Sequence, residues 1–128
     1  MMCAIPNNVI QIDAFAAVFD GFSIDYVDLT QLTLGVDRDS DLAESDYDEC
    51  DPDVLTMMRL AVEGAKRNHR HVGICGEAPA RYPAIAQYLV GLGIDSITVA
   101  PSSLSRTIAT VCDAEAARAA AGKIDEAA

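Results

Sequence analysis

Short apolar runs alternating with stretches of helical spacing constrain this chain most, because such a run is stably buried as a strand covered by the helix that follows it. Met1 to Ile5 is apolar and stops at Pro6, and Ile12 to Phe19 follows with apolar residues at mixed helical spacing before the turn signal Asp20-Gly21. Phe22-Ser23-Ile24 is the next candidate strand, followed by a short helical piece over Leu29 to Leu34. An acidic connection then runs from Gly35 to Asp51 and holds Asp37, Asp39, Asp41, Glu44, Asp46, Asp48, Glu49 and Asp51. We read it as a solvated loop rather than a metal site.

Pro52 suits the first position of a helix, and Val54 to Lys66 reads as amphipathic, with Leu55, Met58, Ala61, Val62 and Ala65 on one face. Val72 to Gly76 is a buried-strand run ending in glycine, and a helix over Pro83 to Leu92 is closed by Gly93. Asp95 to Ala100 is the last strand. Ser102 or Ser103 is placed to cap a final helix running to about Ala121, with residues 122–128 as a frayed tail. Strands alternating with helices imply parallel βαβ units. Periodicity alone leaves two architectures open, an open doubly wound sheet and half of an eight-stranded barrel.

Charge and composition exclude other classes. Acidic residues number 20 against 9 basic ones, a formal net charge of −11, which opposes nucleic-acid binding. The surplus leaves open ordinary acidic solubility or adaptation to high salt, where mobile ions screen carboxylate repulsion. No apolar run reaches the roughly 20 residues of a membrane span, and the start lacks the order of a signal peptide, so a cytoplasmic location is expected. Cys3, Cys50, Cys75 and Cys112 are too scattered for a zinc site and read as free thiols. His69 and His71 precede a strand and are expected on the surface, away from the strand ends that would carry chemistry.

Three runs carry a resemblance: Asp28-Leu-Thr-Gln-Leu-Thr-Leu-Gly-Val-Asp-Arg-Asp-Ser40, Gly73-Ile-Cys-Gly76 and Gly93-Ile-Asp-Ser-Ile97. In order and spacing they resemble the C-terminal barrel of the phosphoenolpyruvate-utilising family, phosphoenolpyruvate synthase and pyruvate, phosphate dikinase, from Met2 to about Ala116. The resemblance implies an α/β fold, half of a TIM-type (β/α)8 barrel with about four parallel β/α units over residues 1–121. It also implies a site at the strand ends where Mg²⁺ holds phosphoenolpyruvate or pyruvate opposite a proton-donating cysteine.

Cys75 matches that cysteine, at the end of what would be the seventh barrel strand. There, Gly73 and Gly76 would let backbone approach a substrate and leave the sulfur at the rim. Such a thiol can protonate an enol carbon.

The family's metal ligands are a glutamate in Met-Cys-Glu-Ile-Pro and an aspartate in Gly-Ser-Asn-Asp-Leu-Thr-Gln. Here the first run reads Met2-Cys3-Ala4-Ile5-Pro6, and Ala4 offers no oxygen to a cation that needs hard oxygen ligands. The second keeps Asp28 but replaces the substrate-facing trio with Asp25, Tyr26 and Val27, which add charge, add bulk and remove an amide. Asp25 brings a carboxylate that could stand in for the missing glutamate, but from a different position.

The resemblance also implies phosphate-clamping arginines on earlier strands, a phosphohistidine domain and an ATP-grasp domain, none of which is found in these 128 residues. Three functions follow as expectations: an inactive, self-associating synthase-like half barrel; a subunit completed by a partner chain bearing the other half; or a small-molecule or metal-binding module reusing Cys75 and Asp28. Free strand edges and inward apolar side chains lacking an opposite wall favour a homo-oligomer, with a dimer first.

Overall fold

The computed structural model describes residues 1–37 and 47–125, with side chains described through residue 121. Its strands are β1 (Met2–Cys3), β2 (Gly21–Asp25), β3 (His71–Cys75) and β4 (Ser96–Thr98). All pair in parallel, in the order β1-β2-β3-β4. That order decides between the two architectures left open by periodicity. A doubly wound sheet reverses direction at a switch point, whereas here each new strand adds on the same side, as in a β/α barrel. The chain is α/β, and its four strands are those of half a barrel.

Among the described residues, seven helices connect and flank the strands: α1 (Pro6–Ile10), α2 (Ile12–Ala16), α3 (Tyr26–Leu34), α4 (Pro52–Arg67), α5 (Ala78–Arg81), α6 (Pro83–Leu92) and α7 (Leu104–Asp125). The helix expected over Ile12 to Phe19 runs only to Ala16, and a further short helix opened by Pro6 precedes it, the two separated at Gln11 (φ −99, ψ 21). α3 begins three residues before Leu29 because Asp25 caps it, its carboxylate accepting the Asp28 N–H at 3.4 Å. The loop expectation for Asp37 to Asp51 falls partly on residues 38–46, outside the described residues.

The best local agreement is α4. Asp51 accepts the Asp53 N–H at 2.8 Å, Pro52 occupies the first turn, and Lys66 and Arg67 stand at the negative end of the helix dipole. Its buried stripe of Val54, Met58, Ala61, Val62 and Ala65 lies in one core with Phe22, Ile24, Val72 and Ile74 of the sheet. Each large member contributes roughly 1.5–3 kcal/mol of burial. Gly64 is required where α4 crosses α2, since a Cβ there would overlap the Ile12 side chain. α6 ends where Gly93 turns left-handed at φ 84.

Alternation along the strands separates two faces. Cys3, Phe22, Ile24, Val72 and Ile74 are buried on the helix-covered side. The other face carries the paired row Met2, Ser23, Gly73 and Ser96, with Gly21 and His71 one step below. This corrects the expectation of an apolar inner wall: apart from Met2, these residues are small or polar, and they line an open recess of about 520 Å³. Thus the exposed inner face itself supplies little hydrophobic drive to associate.

Candidate functional site

Because the strands are parallel, their C-terminal ends lie together. Asp25 pairs with Cys75, and Cys75 with Thr98, so three neighbouring strands end in one row, and Ala4 directly follows β1 beside it. The sequence-predicted positions Ala4, Asp25, Tyr26, Val27, Asp28, Cys75 and Gly76 therefore all fall at one end of the sheet. His71 starts β3 at the opposite end, and both it and His69 are exposed.

Cys75 is partly buried, and its Sγ lies 3.5 Å from the Ile24 carbonyl, to which it donates. The sulfur is held against β2 rather than standing free at the rim. The Gly76 N–H reaches across to the Thr98 carbonyl at 3.0 Å, extending the β3–β4 ladder past the thiol.

The flanking glycines serve packing inside the chain. A Cβ on Gly73 would overlap Ser96 Oγ, and one on Gly76 would overlap Tyr26 Cε1 and lie 2.8 Å from Cδ1. Gly76 also has φ +124, a conformation in which a side chain is strained. The Tyr26 ring, only 3% exposed and part of the hydrophobic core, packs directly on Gly76.

Burial raises the Tyr26 phenol's pKa first, and the nearby Glu49 carboxylate adds to the rise. Hydrogen bonding from the Glu77 and Ala78 backbone and the Arg81 charge oppose it. The net rise keeps the phenol neutral at ordinary pH. Near the ring, Glu49 is nearly buried and lies 3.3 Å from Arg81, and the Tyr47 hydroxyl donates to the Val27 carbonyl at 3.4 Å. Neither contact was predictable from spacing, since the partners lie 32 and 20 residues apart.

Glu77 is a further residue that sequence reasoning missed. Its carboxylate accepts the Ala100 N–H and, at 2.8 Å, the Ser103 hydroxyl, tying the loop after β3 to the turn after β4. These two bonds, the Ala100 N–H foremost, lower its pKa. Ser103, expected as a helix cap, instead spends its hydroxyl on Glu77 in the 3-10 turn Pro101–Ser103 before α7.

For a divalent cation the donors are poorly arranged. Ala4 offers a methyl group, and the turn after it is organised by Asn8 Oδ1, which accepts the Ala4 and Ile5 N–H groups, both at 3.2 Å. Asp25 is engaged as the α3 cap, and Asp28 is exposed on the first turn of that helix. Among the described residues no three His, Cys, Asp or Glu side chains gather to hold an ion. The described residues do not fit a Mg²⁺ site of the kind the resemblance implied. Also among the described residues, no helix is long and apolar enough to cross a membrane.

Comparison with known proteins bears on this end of the sheet. Residues 1–116 match the family described as PEP-utilising enzyme, PEP-binding domain. Over 117 residues the chain is 51% identical to a phosphoenolpyruvate synthase of Synechocystis sp., covering 91% of this chain and 14% of that protein. It is 46% identical over 115 residues to one of Aquifex aeolicus, covering 90% and 13%. With one of Escherichia coli the identity is 40% over 107 residues, covering 84% and 14%. The chain thus spans about a seventh of the length of the curated relatives it matches.

Proposed function

Because the chain belongs to the PEP-utilising enzyme family through its PEP-binding domain, we propose that it is a phosphoenolpyruvate synthase-like half barrel, self-associating and without phosphotransfer activity of its own. The observation that carries this reading is the Tyr26 ring seated on Gly76. The space beside the family's cysteine position is taken by the protein itself.

Two further features support it. With Ala4 in place of a carboxylate and Asp25 committed to capping α3, the charge of a bound anionic substrate would have no cation to offset it. Cys75 keeps its place in the row, but its thiol donates to the Ile24 carbonyl, so the proton it would give to an enol carbon is engaged by backbone. A soluble, cytoplasmic protein agrees with this role.

The test is a coupled phosphate-release assay with pyruvate, ATP and Mg²⁺, run beside Cys75→Ser. The expected result is no release above that control, and pyruvate-dependent release lost in Cys75→Ser would sink the inactive reading.

One observation favours a second reading, a subunit of a split synthase. Asp25, Cys75 and Thr98 still end three adjacent strands in register, as a shared mouth would require. Pyruvate-dependent release that appears only on mixing with a chain bearing the earlier strands would decide for it.

A further inference from the structure

Resting on the self-association in that reading, we propose that a second copy of this chain completes the barrel, β4 of each copy pairing with β1 of the other. Eight parallel strands then close about a two-fold axis along the barrel, and the strand ends that carry the two Cys75 residues border one mouth.

The sheet's own topology is the first support. β1 pairs only with β2 and β4 only with β3 among the described residues, so each end of the sheet keeps an unused ladder edge. The edges are of similar length, Met2–Cys3 and Ser96–Thr98. Joining unlike edges generates either an open filament or a closed ring, and the rotation between copies decides which. A sheet holding half the strands of an eight-stranded barrel turns half a circle, so two copies close.

The two flanks differ in a way that matches each other and not themselves. On the β1 side, Ile5 and Ile10 are 39% and 68% exposed. No charged side chain occurs from Met1 to Ile12. On the β4 side a groove of about 260 Å³ lies between the strand and α7, its apolar lining including Ile94, Ile97, Val99, Leu104, Ile108 and Val111. Asp95, Glu115 and Arg118 also border it. Leu104 and Ile108 are 50% and 52% exposed.

Charge selects this contact. Two copies each carrying −11 repel over most of their surfaces. A flank without charged side chains set against an apolar groove is a contact that avoids bringing carboxylates face to face. The inner row agrees with closure, since Ser23, Gly73 and Ser96 leave room in the lumen that Met2 of each copy can enter. The site is incomplete without the partner: the row Asp25, Cys75 and Thr98 forms half a mouth, and the second copy supplies the facing half.

The experiment uses the 128-residue chain in molar KCl, where charge repulsion is screened, with light scattering after gel filtration and circular dichroism to check folding. Ile10→Glu and Ile108→Glu change exposed side chains on opposite flanks, so both variants are expected to fold. The wild type is expected to run as two protomers. Each variant should dissociate with a Kd raised on the order of 100-fold. An equimolar mixture of the two should associate more tightly than either alone, because one of its two contacts is free of both substitutions.

A folded wild-type monomer, a species larger than two protomers, or sensitivity to Ile108→Glu without sensitivity to Ile10→Glu would overturn the ring. The last pattern would mean that α7 pairs with its own copy. Phosphate release is read separately: a monomer that releases none leaves the inactive reading standing, and a dimer that releases phosphate leaves the ring standing.

Discussion

Replacing Gly76 with alanine perturbs the point where the Tyr26 ring packs on the loop after β3. The added Cβ would lie 2.8 Å from Tyr26 Cδ1 and overlap Cε1, with the backbone at φ +124. Overpacking of a buried ring costs about 1–3 kcal/mol. The strained backbone adds about 1–3 kcal/mol independently. Gly76→Ala should therefore lose about 2–6 kcal/mol in the wild type.

The two parts separate in a Tyr26→Ser background. Losing a buried ring itself costs about 3–5 kcal/mol by analogy with large-to-small core changes. Adding Gly76→Ala to that background should cost only the backbone part, about 1–3 kcal/mol. The double-mutant cycle should then give a coupling of about 1–3 kcal/mol. Urea unfolding followed by circular dichroism, at one fixed protomer concentration, measures all four corners. Equal costs of Gly76→Ala in both backgrounds would show that the Tyr26 ring does not occupy the space beside Gly76.

Three other outcomes are expected. If the −11 charge reflects adaptation to salt, Tm should climb between 0.1 and 2 M KCl, each 1 kcal/mol of relieved repulsion adding roughly 2–8 °C, and a flat response would leave ordinary acidic solubility. Glu77 has a pKa lowered from 4.5, so the stability lent by its bonds to Ala100 and Ser103 is present above that value and lost as pH falls through the lower folded one. The Tm gap between wild type and Glu77→Ala should thus be widest at pH 6–7 and narrow below about pH 4.5, and a gap independent of pH would refute the assignment. Burial pushes the Cys3 thiol up from 9.0 to about 11, so at pH 8 its thiolate fraction falls roughly 100-fold, and iodoacetamide should label it only after unfolding.

What could be read in advance was what depends on near neighbours. Pro52 at a helix start, the apolar stripe of Val54, Met58 and Ala61, and Gly93 as a left-handed cap are local features, and the helices obey them. Asp25 was read by its charge near an anionic substrate, whereas its position three residues before the Asp28 N–H makes it a cap. The inner face was misjudged although Phe22-Ser23-Ile24 alternates plainly, because the strand was weighed by its apolar residues rather than by which side each takes. The seating of Tyr26 on Gly76 could not have been found from spacing. It joins residues 50 positions apart, brought together by the parallel register of β2 and β3.

The most direct measurement of the central claim is a titration of amide NMR spectra with phosphoenolpyruvate and Mg²⁺, added separately and together. With the space at Gly76 filled, Ala4 lacking an oxygen and Asp25 capping α3, the amides of Ala4, Asp25, Asp28, Cys75 and Gly76 should not move up to millimolar ligand. A saturable shift of those amides that requires both ligands and disappears on chelating the metal would contradict the account.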